Sequence, residues 1–304
     1  WVRVSTLYTS CTRSTRKRVP VNRFSSFGFL RGAGLVLVMS IFFASSSGAE
    51  GRRFPNILVV SVDPLRYDRL SIHGYDRPTS PNIDNLLRRG VRFEQARTVE
   101  PLTAPSMVSV FTGLYPHDHG ASRNGLRMRP ALPSWPKALG GRGYKVAAFV
   151  GNWTLRDENL GLAEHFETYE EVLNRKRWGI FLGEATAGDL NERSLDWLET
   201  HQEKNGDWPF LLWVHYVEPH APYRYWSKLA KRLGVKGRDK KSDRYDTEVA
   251  FVDRAVGDLL TEVHMRVNAE DLMVIFMSDH GESLGEHGYW GHGRNLFEPS
   301  LRIP

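Results

Sequence analysis

Four short runs of apolar residues punctuate the chain: Asn56–Val62 (NILVVSV), Lys145–Val150 (KVAAFV), Pro209–Val217 (PFLLWVHYV) and Asp271–Ser278 (DLMVIFMS). They are rich in Val, Ile, Leu and Phe and mostly lack alternation, the pattern of strands covered on both faces. Helical periodicity fills the intervals. Ser80-Pro81 supplies an N-cap and first-turn pair for a helix through Arg89, with Ile83, Leu86 and Leu87 inward and Gly90 as the stop. Tyr245–His264 puts Val249, Val252, Val256, Leu259 and Leu260 on one stripe, and the charged run Gly234–Asp243 before it reads as a solvated loop. Strands alternating with helices predict an α/β fold with a largely parallel central sheet and helices on both faces.

The residues that follow these strands narrow the chemistry. The first run is followed by Asp63, the second by Gly151-Asn152, the third by Glu218-Pro219-His220 and the fourth by Asp279-His280. Open α/β sheets bind ligands beyond the carboxyl ends of their strands. Asp63, Asp279 and His280 together offer mixed oxygen and nitrogen ligands to a divalent cation, and Ca, Mg, Mn and Zn all remain open. Gly281 permits the tight turn that aims the last two at one point.

A second constellation is Thr103-Ala-Pro-Ser-Met107, which leads into Val108, Val110 and Phe111 and closes at Thr112-Gly113. Thr103 is placed to cap a helix, with Pro105 in its first turn. A hydroxyl at a helix start suits a phosphate or sulfate oxygen, and a neighbouring cation makes it a nucleophile. Ser106 is the alternative nucleophile. Alternation turns His215 towards the core, His73 reads as packing, and His117 and His119 as turn residues free to be surface. Trp135, Trp153, Trp208 and Trp213 read as core or cleft wall.

Charge does not point to nucleic acid. Seven of the 41 Lys and Arg fall in residues 1–49, which contain no acid; the remainder carries 34 bases against 35 acids, too even for a phosphate-tracking surface. The single Cys11 lies in that basic leader, so the body has neither a disulfide nor a thiolate metal site. An apolar stretch from Gly32 to Ala44, followed by Ser45-Ser-Ser-Gly-Ala49, matches a signal peptide cleaved after Ala49, and export to a periplasm or the exterior. A retained membrane anchor is the alternative, the leader then being the one membrane contact. Trp1 at one end and Leu301-Arg-Ile-Pro304 at the other read as cuts in a longer chain.

Several motifs recur together: Pro55–Asp63, Gly74–Asp84, Thr103–Ser106 with Thr112–Gly120, Glu218-Pro-His-Ala-Pro-Tyr223, Ser278-Asp-His-Gly-Glu282 and Gly291–Glu298. In that order and spacing, residues 54–304 resemble the sulfatase family of the alkaline phosphatase superfamily. The resemblance implies an alkaline-phosphatase-like catalytic domain over 54–304, continued by a smaller subdomain past Pro304. It also implies a metal held by Asp63, Asp279 and His280 beside a nucleophile at Thr103, and substrate contacts from His220 and His292.

Three departures qualify it. Thr103 stands where the family has Cys or Ser, and its β-methyl would turn the usual oxidation to formylglycine into a ketone. Met107 replaces the Arg of the maturation motif. Gly151-Asn-Trp-Thr-Leu155 replaces a Gly-Lys-Trp-His-Leu segment, leaving Asn152 as the substrate contact there. No formylglycine is expected. The departures favour a metal-dependent hydrolase or transferase of phosphate esters, with His220 or His292 protonating the leaving oxygen or, with Glu218, holding a second cation. The substrate is expected to be an anionic ester of a glycan, lipid or small molecule. A sulfatase working without formylglycine, and an inactive relative that binds anionic glycans or lipids, are the alternatives.

Overall fold

The computed structural model describes residues 54–177 and 181–304. The signal peptide and anchor expectations fall outside that range, and among the described residues no helix is long and apolar enough to cross a membrane. Five strands make one sheet: β1 (Asn56–Val62), β2 (Lys145–Val150), β3 (Thr168–Glu171), β4 (Phe210–Tyr216) and β5 (Leu272–Ser278). Their order is β3-β2-β4-β1-β5, and every pairing is parallel. The four apolar runs are the four adjoining strands β2, β4, β1 and β5. The fifth strand, Thr168-Tyr-Glu-Glu171, escapes a search for apolar runs because it lies at the edge, where its side chains are only half-buried.

Side-chain parity sorts the core into two layers. Leu58, Val60 and Val62 of β1 face one side with Phe149, Leu212 and Val214. That side is covered by α1 (Pro81–Arg89), α3 (Ala187–Asn205) and α4 (Lys241–Arg266). Val59 faces the other side with Ala148, Leu211 and Trp213, under α2 (Thr103–Thr112) through Ala104, Met107, Val108 and Phe111. Trp213 is fully buried there, its ring 4.5 Å from that of Phe111, and its Nε1 donates to Ser61 Oγ at 2.8 Å. Trp135 and Trp153 are half-buried, whereas Trp208 is 57% exposed and is not core.

Two local expectations change. Ser80 occupies the cap position of α1, but its hydroxyl donates to Asp84 Oδ1 at 2.8 Å instead of capping the backbone. Asp253 of α4 reaches across and accepts from the N–H groups of Asn82 and Ile83 at 3.0 and 2.9 Å, so the cap is tertiary. Secondly, α4 begins at Lys241, inside the run expected to be loop. Asp243 and Asp246 are buried because they receive Arg77, while Asp246 also takes Arg69 at 3.0 Å and the Tyr75 hydroxyl at 2.6 Å. Charge that looks solvated in sequence instead clamps the 69–77 loop to the helix.

Candidate metal centre and its histidine cluster

Parity also positions the chemistry. Asp63 continues the β1 series 57, 59 and 61, His215 belongs to the β4 series of Leu211 and Trp213, and Asp279 continues 275 and 277 of β5. All three therefore fall on the face that α2 covers. The first residue of α2 is Thr103, and its hydroxyl lies 3.2 Å from Asp63 Oδ2 and 3.4 Å from His280 Nε2. His280 Nε2 is in turn 3.5 Å from Asp63 Oδ1 and 3.4 Å from Asp279 Oδ2. All four residues are buried.

Thr103 does not cap α2. Leu102 holds the cap position, the Ala104 N–H is taken by Asn124 Oδ1 at 2.9 Å, and the Thr103 hydroxyl is left to face the carboxylates. Ser106 is occupied: its hydroxyl donates to the Asp279 carbonyl at 2.7 Å, pinning the helix to the loop after β5. Asn124 carries no signal in the sequence, because its role depends on a loop returning to a helix start.

Hydrogen bonds set the protonation of the imidazoles. Trp213 donates to Ser61 Oγ, so the Ser61 hydroxyl is free to donate to His215 Nδ1 at 2.8 Å. That leaves the His215 proton on Nε2, which faces Asp63 Oδ2 at 3.8 Å. His215 thus belongs to the surroundings of Asp63, buried as expected. His280 donates from Nδ1 to the Gly281 carbonyl at 2.8 Å, which turns the Nε2 lone pair towards the carboxylates. Burial, and then the charge of His292, push the His280 imidazole down to about 3, so it is neutral at physiological pH. Burial pushes Asp63 up, but the interaction with His215 and the charges of the nearby imidazoles outweigh it and hold the carboxyl well below its usual range. Burial and the adjacent Asp63 push Asp279 well above its own.

This arrangement fits a divalent cation. Asp63, Asp279 and His280 each offer one ligand atom, all within 4.8 Å of one another. Asp63 Oδ1 and Asp279 Oδ2 are buried without a hydrogen-bond partner, which is costly unless a cation takes that place. The donors are hard oxygens plus one imidazole, compatible with Mg, Ca, Mn or Zn.

A second cluster adjoins the first. The His292 ring lies 4.3 Å from that of His280 and 5.3 Å from that of His220. Glu282, fully buried, orients it: Oε1 is 2.9 Å from His292 Nδ1, and Oε2 accepts from the Tyr223 hydroxyl at 2.7 Å. Burial raises the Glu282 carboxyl, but His292 and Tyr223 more than offset this and keep it an anion. Glu282 and Tyr223 stand within recognised motifs, yet only their meeting in space assigns them to His292. Arg66 donates to the Glu282 carbonyl at 3.1 Å and pairs with Glu286 at 2.7 Å, holding the 282–286 loop against the end of β1.

Asn152 is buried and holds Asp63: its amide donates to Asp63 Oδ2, while its Oδ1 accepts from the Thr154 N–H and hydroxyl, each at 3.0 Å. Outside the cluster, His73 stacks on Tyr67 with ring centroids 3.7 Å apart. His119 is not a surface residue; it is buried and bonded to Ser109 at 3.0 Å. His117 is exposed.

Gly281 is needed for close approach. A Cβ there would come within 2.0 Å of the Pro299 carbonyl, because the Gly281 and Glu282 N–H groups bond Ser300 and Pro299 at 2.9 Å. Gly281→Ala is expected to cost about 2–4 kcal/mol and to displace His280. Denaturant titration with and without added metal checks this, and wild-type stability in that variant would refute the contact.

A parallel sheet thus gathers acids and imidazoles at its carboxyl edge under a helix-borne hydroxyl, and the likeness of the chain to known proteins places it in the alkaline phosphatase-like superfamily. Within it the chain belongs to the sulfatase family, whose model matches residues 55–304. A choline-sulfatase from Rhizobium meliloti (strain 1021) is 25% identical over 320 residues, covering 82% of this chain and 62% of that protein. The chain thus spans about three fifths of that relative's length. The phosphonate monoester hydrolase of Agrobacterium radiobacter superposes with a TM-score of 0.66 at 19% identity, over 82% of this chain and 67% of the other. The C-terminal periplasmic domain of EcEptC from Escherichia coli, in complex with Zn, gives 0.65 at 18% identity, over 84% and 73%. These two likenesses show the shared fold.

Proposed function

We propose that this protein is a metal-dependent hydrolase or transferase of phosphoric esters, with Thr103 as nucleophile and phosphodiesters favoured over sulfate esters. The observation that carries the proposal is the Thr103 hydroxyl, 3.2 Å from Asp63 Oδ2 and beside two buried carboxylate oxygens that lack partners. A cation held by Asp63, Asp279 and His280 would draw charge from the transferred oxygens and acidify the Thr103 hydroxyl.

Thr103 Oγ1 attacks phosphorus and gives up its proton, made more acidic by that cation, to water. The bond from phosphorus to the alcohol oxygen breaks, and that oxygen leaves with the electron pair. It takes a proton from the cluster of His292 and His220, in which Glu282 orients His292. Water or a second alcohol then attacks the phosphothreonine and returns a proton to the histidine cluster, the phosphorus–Oγ1 bond breaks, and Thr103 Oγ1 takes a proton from water.

Two features favour phosphorus over sulfur. Threonine cannot be oxidised to an aldehyde. The Gly151–Leu155 loop brings neither a cation nor an imidazole: Asn152 bonds Asp63, and Thr154 bonds Asn152.

The test is turnover of bis-p-nitrophenyl phosphate and, separately, p-nitrophenyl sulfate, with Mn, Zn or Ca added. The expected result is metal-dependent release from the phosphodiester at least about 10²-fold faster than from the sulfate. Sulfate turnover alone would establish a sulfatase working without formylglycine. Turnover of neither, with metal bound, would establish an inactive binding relative.

A further inference from the structure

A cleft of about 440 Å³ opens beside His220 and is lined by Pro222, Tyr223, Lys241, Arg244 and Trp290. Its lining includes two cations and no carboxylate. Among the described residues, no carboxylate pairs with Lys241, whose ammonium instead lies 4.8 Å from the centroid of the Trp290 ring. Arg244 is aimed by a 2.6 Å hydrogen bond from Nε to the Arg238 carbonyl. Its acidic neighbour Asp239 is fully exposed and 3.9 Å away, so the pairing is weak and solvent-screened. Two poorly compensated cations in one concave surface attract an anion.

The rest of the wall has different chemistry. Trp290, Pro222 and Tyr223 offer a largely apolar surface, and Trp290 is seated against Gly285, where an added Cβ would meet its ring at 2.9 Å. An indole beside paired cations suits a ring that carries a negative charge.

Position decides which part of the substrate this is. The chain of contacts runs from Thr103 to His280 at 3.4 Å, to His292 at a ring separation of 4.3 Å, and to His220 at 5.3 Å. His220 is also a wall of the cleft. A group protonated from that histidine cluster is the departing alcohol, so what extends past His220 belongs to the leaving group. We infer that the cleft is a leaving-group subsite, and that the substrate's alcohol is a ring bearing a second anionic group held by Lys241 and Arg244 against Trp290. This rests on the phosphoric ester reading above.

The experiment compares 4-nitrophenyl methyl phosphate with 3-carboxy-4-nitrophenyl methyl phosphate, in the wild type and in Lys241→Gln/Arg244→Gln. The ratio between proteins cancels the intrinsic reactivity of the two phenols. In the wild type, kcat/KM is expected to favour the carboxylated ester about tenfold more than in the double variant. Trp290→Ala is expected to slow both esters several-fold. An equal ratio in wild type and double variant overturns the subsite and leaves the phosphoric ester reading standing.

If neither ester turns over, calorimetric titration of the metal-loaded protein with phenyl and 3-carboxyphenyl methylphosphonate decides the matter separately. A preference for the carboxylated ligand that disappears in the double variant supports the subsite alone, and no preference overturns it. Competition by glucuronate or glycerol 3-phosphate that depends on Lys241 and Arg244 then distinguishes a sugar acid from a headgroup-like anion. Competition by neither counts against the subsite.

Discussion

Thr103→Ala is expected to lower phosphodiester turnover by at least about 10³-fold while leaving the fold and metal binding intact, because it removes the attacking oxygen and little else. The side chain is buried, but its hydroxyl contacts only Asp63 and His280, groups that would also hold the proposed cation, so the loss of stability should stay within about 1 kcal/mol. Thr103→Ser keeps the oxygen and sheds the β-methyl, and should retain activity within roughly tenfold. That pair separates a nucleophile from a residue that merely packs. Single-turnover assays with a quenched phosphoenzyme trap supply the direct readout: a phosphoryl group on Thr103 in the wild type and none in the alanine variant. Activity that survives Thr103→Ala would falsify the mechanism, whatever metal is bound.

The second large effect concerns the cation and can be measured without substrate. Metal at about a hundred times its Kd should add about 2.7 kcal/mol, which for a domain of this size is a rise of roughly 5–10 °C in Tm. Chelation should reverse it. Asp279→Asn is expected to do two opposite things. It removes a ligand, so the metal-dependent rise should vanish. In chelator it should raise Tm, because Asp63 and Asp279 are fully buried, converge on His280 and leave one oxygen each without a partner. A structural acid pair would behave in the contrary way, with Asp279→Asn destabilising the protein in chelator and a metal effect of unchanged size. Differential scanning calorimetry on both proteins, with and without metal, separates the two cases.

The relation between chain and site is clearest at Asp63, Asp279 and His280. Asp63 and Asp279 immediately follow apolar strands, with His280 one residue on, and parallel strands deliver their carboxyl ends to one edge, so proximity could be expected before any coordinates. Which side chains share a face of the sheet follows from the same alternation that buries Val59 and Trp213 under α2. Other partners were not legible. Asn124 caps α2 from a loop 20 residues on, Asp253 caps α1 from a helix 171 residues on, and Glu282 meets Tyr223 and His292 only because two loops fold together.

By itself the sequence determined the α/β class, the positions of the four adjoining strands and the set of residues at their ends. These are local quantities: hydrophobic period, strand length and the residue that breaks each run. Tertiary structure decided the edge strand β3, the early start of α4, the orientation of the Thr103 hydroxyl away from its own helix cap, and the use of Asn152 to hold Asp63. Each of those depends on a partner supplied by distant chain, for a polar group takes the hydrogen bond or ion pair that the fold brings to it, and no local pattern encodes which one arrives.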